Sequence, residues 1–133
     1  AEVMNRADYD RYLACFNARD YDGVLSFWAE EFDLAFAGYH FRTKAEVKAF
    51  YAFFHQYANE SVRVTAWVDS PGMVALEAVV RLEGIRELTP QALEAQGLGR
   101  LVPLQVGQVV EIPQYIHYHL RDGLIVRAGC AVA

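Results

Sequence analysis

Apolar residues first recur with a helical period: Tyr9, Tyr12, Leu13 and Phe16 stand at i, i+3, i+4 and i+7, which gives residues 5–17 one apolar face. Asn5 is suited to cap that helix, and Asp8 lies in its first turn, where a carboxylate favours the helix dipole. Asp20 then caps a second, shorter helix through Trp28. Past it the period changes to two, with Phe32, Leu34 and Phe36 alternating with Asp33 and Ala35 as in a half-buried strand, so that Asp33 faces outward. Thr43 followed by Glu46 forms a capping box, and Val47, Phe50, Tyr51 and Phe54 give the third helix an aromatic face running toward Tyr57.

From Ser61 the chain is strand-rich. Val62, Val64, Ala66 and Val68 alternate with polar residues, Asp69-Ser70-Pro71-Gly72 turns, and residues 74–82 return antiparallel. An excursion over residues 83–99 holds a short helix with a Thr89-Pro90 start and a Gly97 stop, in a position to lie over a pocket mouth. Strand character resumes over residues 101–112. Helices gathered first and strands afterwards predict an α+β fold, with a curved, largely antiparallel sheet wrapped around the helices, as one domain over residues 1–133.

The last hairpin admits two turns. A two-residue Asp122-Gly123 loop pairs Tyr118 with Arg127 and mixes polar with apolar groups on each face. A three-residue loop, with Gly123 left-handed, pairs Leu120 with Leu124, Tyr118 with Val126, Ile116 with Ala128 and Gln114 with Cys130. One face is then almost wholly apolar, so this register is preferred, and His117, His119 and Arg127 collect on the outer face.

With 54% hydrophobic and 14% aromatic residues, the chain has ample material for a core. Eight Tyr, eight Phe and two Trp exceed ordinary packing needs, and either line a cavity or interface or simply fill the interior. The net charge is −5 and the twelve Lys and Arg are scattered, which argues against a nucleic-acid partner. No apolar run approaches the roughly 20 residues that span a bilayer, and the opening Ala1-Glu2-Val3-Met4-Asn5-Arg6 is polar, so a cytoplasmic protein without a membrane partner is expected. Cys15 and Cys130 lack metal-type spacing and read as small buried residues. His117 and His119 share a strand face, yet no neighbouring acid or thiol completes a metal set. No organic cofactor motif is present; neither cofactor nor metal is expected.

The run containing Arg11-Tyr12, Asn17, Asp20, Asp22-Gly23 and the acidic pair Glu30-Glu31 resembles the opening of bacterial ketosteroid isomerases. The likeness continues through Phe50-Tyr51 and Asp122-Gly123, covers most of the chain apart from roughly residues 83–105, and extends to SnoaL-like polyketide cyclases of the nuclear transport factor 2-like superfamily. It implies a cone-shaped domain enclosing a small apolar pocket. It also implies that Tyr12 donates a hydrogen bond to a substrate oxygen, with Tyr51 orienting the Tyr12 hydroxyl, since a phenol donates without carrying charge into an apolar site. Phe36 stands where the isomerases keep an aspartate base, and Ile116, or Tyr115 one residue away, where they keep a protonated acid. Phe16-Asn17 occupies the place of a dehydratase aspartate, and Asn17 is sufficiently explained by capping the first helix.

His40, in the loop leaving the first strand, is a candidate acid or base at the pocket rim, against a plain exposed histidine. His55 lies off the aromatic stripe and reads as a surface residue. Phe32, Phe36, Phe54, Gln114, Ile116, Tyr118, Ala128 and Cys130 are expected to line the cavity. The partner expected is a small, largely apolar cyclic or aromatic molecule bearing a carbonyl or hydroxyl, on which the protein acts as an isomerase, lyase or cyclase. Two alternatives are a non-catalytic binder of the same fold and an assembly domain. A homodimer through the outer sheet face is expected in either case.

Overall fold

A computed structural model describes residues 4–133; Ala1, Glu2 and Val3 of the polar opening lie outside the described residues. Helix α1 spans Arg6–Asn17, with both arms of a capping box formed: the Asn5 side chain accepts from the Asp8 N–H at 2.8 Å, and the Asp8 carboxylate accepts from the Asn5 N–H at 2.9 Å. Its buried residues are the four read from the pattern, Tyr9, Tyr12, Leu13 and Phe16.

Helix α2 (Tyr21–Leu25) is capped by Asp20 as expected but stops before Trp28. Ser26 turns its hydroxyl back onto the Gly23 carbonyl at 2.6 Å, and Trp28 opens strand β1 (Trp28–Phe36), where it pairs with Ile125. Strand β2 (Tyr39–Phe41) folds back on β1 through Ala37 and Gly38, both left-handed at φ 52° and 83°. Helix α3 (Lys44–Phe54) begins with the Thr43–Glu46 capping box, and its Val47, Phe50 and Phe54 are buried.

Four long segments complete the sheet: β3 (Ala58–Ser70), β4 (Met73–Gly84), β5 (Val109–Arg121) and β6 (Leu124–Val132). The strand order is β2-β1-β6-β5-β4-β3, with β1 parallel to β6 and every other pair antiparallel. The architecture is α+β, with N-terminal helices packed on one face of a six-stranded mixed sheet. Helix α4 (Pro90–Ala95) lies in the excursion between β4 and β5, capped by Thr89. The excursion is longer than the sequence suggested: residues 101–108 are irregular, tied to the fold by the Leu88–Leu104 backbone pair, and β5 begins only at Val109.

Two bulges correct the expected registers. In β3, Val64 pairs with Ala78 and Ala66 with Glu77, so Thr65 is the extra residue and Trp67, not Ala66 or Val68, turns toward the core. Val68 is 68% exposed. In the last hairpin, the turn is the two-residue Asp122-Gly123 loop, with φ 53° and 77°, and Arg121 pairs with Leu124. Leu120 pairs with Ile125, and His119 then pairs with Arg127, which leaves Val126 as the bulged residue. The expected three-residue loop is therefore wrong: Tyr118 faces Ala128, Ile116 faces Cys130, and Gln114 faces Val132. The bulge does what that loop was invoked to do, since it restores an apolar inner face with Ile125 fully buried in place of Leu124 or Val126.

One core cluster joins α1, α2 and the inner face of β1, β4, β5 and β6, around Tyr9, Trp28, Val74 and Ile125. A second joins the end of α3 to the excursion through Phe54, Leu88, Leu93 and Leu104. Each such side chain contributes on the order of 1.5–3 kcal/mol by burial, so the excursion is anchored by its own leucines. Among the described residues, no helix is long and apolar enough to cross a membrane.

Candidate functional site

Two adjoining compartments lie between the inner sheet face and the helices, of about 150 Å³ and about 80 Å³. Six side chains line both and form the waist between them: Leu34, Tyr51, Glu60, Val80, Gln114 and Cys130. The larger compartment is walled by Phe36, Phe50 and Phe54 and reached by Leu101 of the excursion. The smaller is closed by Tyr9, Tyr12, Trp28, Ile116 and Tyr118.

The strand period places the polar waist groups. Glu60 is the third residue of β3 and shares its inward parity with Ala58 and Val62. Gln114 enters from β5, and Cys130 from β6, where it sits opposite Ile116 on one side and Phe36 on the other. Tyr51 enters from α3.

At the closed end the tyrosines are tied together. The Tyr9 and Tyr118 hydroxyls are 2.8 Å apart, the Trp28 indole N–H donates to the Tyr12 hydroxyl at 3.4 Å, and the Tyr9 and Tyr12 rings stack at 5.2 Å. Burial pushes the Tyr12 phenol up to about 12, a rise that the Trp28 hydrogen bond partly opposes. Burial, and then the charge of Glu60, raise Tyr51 well above its ordinary value, and burial raises Tyr118 likewise. Cys130 is raised to about 11 by burial and then by Glu60. All four are thus neutral donors near pH 7.

A second polar chain runs from the waist toward the surface. Glu60 Oε1 lies 2.9 Å from His55 Nε2, and His55 Nδ1 lies 2.7 Å from the Tyr21 hydroxyl. The His55 side chain is only 4% exposed and that of Glu60 15%. The imidazole stacks on Tyr51 at 5.0 Å and on Tyr21 at 5.7 Å, with Phe16 edge-on at 5.9 Å. His55 is thus buried rather than on the surface, and Glu60 and Tyr21 are polar site residues that the sequence reading passed over. Helical arithmetic held the signal for His55, which stands four residues after Tyr51. Strand parity held it for Glu60, two residues before Val62.

The remaining expected site residues divide. Tyr12, Ile116 and Tyr118 line the smaller compartment, Phe36 and Phe54 the larger, and Tyr51, Gln114 and Cys130 the waist. The expected support of Tyr12 by Tyr51 gives way to Trp28 as the partner of the Tyr12 hydroxyl. Phe32 lines neither compartment; it is packed on Trp28 at 4.7 Å. Ala128 is buried beside Tyr118 and borders a groove on the outer face. His40 is also on that outer side, opposite Ala35 on β2, with its Nδ1 2.8 Å from Asp33 Oδ1, because strand pairing turns it away from the interior. His117, His119 and Arg127 line the same groove, and Arg127 donates to His119 Nε2 at 2.9 Å.

The pattern of a SnoaL-like domain matches residues 9–128. A proposed polyketide cyclase from Xanthomonas campestris pv. campestris superposes with a TM-score of 0.70 at 25% identity, over 92% of this chain and 84% of that one. A proposed polyketide cyclase from Silicibacter sp. TM1040 gives 0.72 at 24% identity, over 94% and 85%. The RV0760c protein of Mycobacterium tuberculosis, solved in complex with estradiol-17beta-hemisuccinate, gives 0.67 at 17% identity, over 92% and 88%. No curated protein matches the sequence. With the helix-then-sheet order, the cavity between sheet and helices and a match over residues 9–128 in agreement, this chain belongs to the SnoaL-like domain family.

Proposed function

We propose that this protein binds a single-ring, largely apolar molecule carrying a carbonyl or hydroxyl, and acts on it as a cofactor-independent isomerase, lyase or cyclase. The observation that carries this reading is the two-compartment cavity, apolar in its walls and polar only at its waist and closed end. A dry apolar cavity of about 150 Å³ is known to accept benzene, and the larger compartment has that volume. One ring fits there with its oxygen directed at the waist, whereas a molecule of several rings would have to span both compartments.

Tyr12 and Tyr51 are the groups we assign to that oxygen. The Trp28 N–H occupies a lone pair of the Tyr12 oxygen and leaves the phenolic proton free to be donated. Preorganised donors of this kind contribute about 2.7–4 kcal/mol each to stabilising a developing oxyanion in documented cases.

Native mass spectrometry and thermal shift against single-ring phenols and ketones, with steroids as the size control, test the reading. Binding of single-ring compounds, with conversion that is lost in Tyr12→Phe and Tyr51→Phe, is expected. Ligands bound equally by parent and variants and recovered unchanged would favour a non-catalytic binder.

The outer groove, which carries His40, His117, His119 and a half-exposed Tyr115, is where we place self-association into a homodimer. Sedimentation of the parent against Tyr115→Glu is the check, with a loss of dimer expected in the variant.

A further inference from the structure

We propose that Glu60 is the proton-transferring base of this cavity and that His55, backed by Tyr21, is the positioning residue that holds it ready. The proposal rests on the binding mode above and adds to it the group that moves the proton. Phe36 and Ile116 leave the positions of the resembled isomerases' carboxylates without an acid, yet the waist holds a carboxylate from another strand. It borders both compartments, so a molecule spanning the waist has it alongside.

The hydrogen bonds set the protons. Tyr21 stands 2.7 Å from His55 Nδ1 and 3.5 Å from the Tyr51 carbonyl oxygen, and we assign its O–H to the nearer acceptor, the imidazole nitrogen. A neutral imidazole accepting at Nδ1 carries its proton on Nε2 and donates it to Glu60 Oε1, 2.9 Å away. One carboxylate oxygen is thereby fixed and the other remains for the cavity. Stacking on Tyr51 and Tyr21 and edge contact with Phe16 hold the imidazole plane, so the carboxylate is aimed by a rigid neighbour rather than by solvent.

The chemistry balances without a co-reactant. A C–H proton next to a ring carbonyl passes to the free Glu60 oxygen, and the C–H electron pair moves into the C–C bond as the carbonyl becomes an enolate. The enolate oxygen takes hydrogen bonds from Tyr51 and Tyr12. Glu60 returns the proton to the same or another ring carbon, and the carbonyl re-forms.

Other ionisable groups face this chain. They are Tyr12 on α1, Arg19 in the α1–α2 turn, Tyr51 on α3 and Cys130 on β6. Arg19 holds the start of β3 through the Ala58 carbonyl at 3.3 Å and the Asn59 amide oxygen at 3.2 Å. These groups are the same in every variant below.

The test uses two probes on the full chain. Phenol, followed by native mass spectrometry, reports occupancy, and cyclohexanone in deuterated buffer, followed by proton NMR, reports exchange of the protons beside the carbonyl. The parent should bind phenol and accelerate exchange. Glu60→Gln should lose at least about 100-fold of the exchange, the lower range for removing an acid–base group, while still binding phenol. Glu60→Asp, which keeps the charge and withdraws it by one methylene, gives an intermediate rate and covers the case in which Glu60→Gln folds poorly.

His55→Phe, which removes the donor to Glu60, should move the acid limb of the pH–rate profile upward, whereas His55→Gln, whose amide N–H can still donate, should keep most of the exchange, and Tyr21→Phe, which only frees the imidazole to change tautomer, should move the limb less. A carboxylate that loses a hydrogen-bond donor in an apolar site protonates at higher pH, so less base is present at any given pH below it. A merely structural His55 would lower the rate at all pH values without moving the limb. Phenol bound without exchange by the parent, or exchange unchanged in Glu60→Gln, overturns the proposal and leaves the binding mode standing. Absence of phenol binding overturns the binding mode and the proposal with it.

Discussion

The Tyr9–Tyr118 pair offers a quantitative test of how the closed end of the cavity is held. Both residues are buried, Tyr9 at 1% and Tyr118 at 5% exposure, and their hydroxyls are 2.8 Å apart. Removing one partner strands the other. Tyr118→Phe leaves the Tyr9 hydroxyl without its one hydrogen bond, and an unsatisfied buried group costs about 1–3 kcal/mol; about 2 is expected here. Tyr9→Phe should cost about 1 kcal/mol, because Tyr118 keeps the Tyr12 hydroxyl as a second polar neighbour. The double variant Tyr9→Phe/Tyr118→Phe removes both polar groups. It should cost only the net value of one hydrogen bond, about 1 kcal/mol, well below the sum of the singles, which leaves about 2 kcal/mol of coupling. With an unfolding entropy of about 2.1 cal/mol/K per residue, a chain of 133 residues shifts its Tm by about 3.5 °C for each kcal/mol. Urea unfolding at constant m and calorimetry of the four proteins complete the cycle. Strict additivity, with the double variant losing the sum of the two singles, would refute the view that these two hydroxyls are hydrogen-bonded to each other.

Other consequences follow from groups already described. Tyr12 has a folded pKa of about 12 against an ordinary 10.0, so its contribution to stability is complete below pH 10 and is lost as pH rises toward 12; unfolding followed from pH 8 to 12 should show that decline. Cys130, raised to about 11, should react with iodoacetamide only slowly at pH 8, speed up with each added pH unit, and be protected by bound phenol, as peptide mapping of the alkylated protein will show. Gly84→Ala should destabilise by about 1–3 kcal/mol in thermal melts, as overpacking does, since a Cβ there falls 2.0 Å from the Gln105 backbone oxygen, which cannot step aside as a side chain does. Gly38→Ala should cost about 1–2 kcal/mol for its left-handed backbone alone, because the group its Cβ meets is the flexible tip of Arg100.

How far the sequence discloses this molecule depends on the kind of signal. Caps are local, so Asn5, Asp20, Thr43 and Thr89 mark helix starts that the structure keeps. Alternation is local too, and it places Phe36, Ile116 and Tyr118 toward the interior. A bulge is not local: Thr65 and Val126 carry no composition that announces an extra residue, and the balance of apolar burial on both sides of the sheet decides where it goes. The polar chain was hidden for a related reason. Glu60 reads as a solvent-facing charge on a strand and His55 as the end of a helix, and only the short connection from α3 into β3 brings the two within hydrogen-bond distance. His40 shows the converse, a histidine with suitable chemistry that the β1–β2 pairing carries to the other side of the sheet.

The parallel pairing of β1 with β6 also has a meaning for biosynthesis. The two strands come from opposite ends of the described chain, and on that side β1 has no other neighbour. Until β6 has left the ribosome, β1, with Trp28 and Phe36, lacks its neighbour on that side, and Ile125, the most deeply buried residue of β6, is absent. Contacts so distant along the chain close late and slowly. Nascent chains halted before residue 124 are therefore expected to expose this aromatic surface to chaperones, and the cavity comes into being only when synthesis of the last strand is finished.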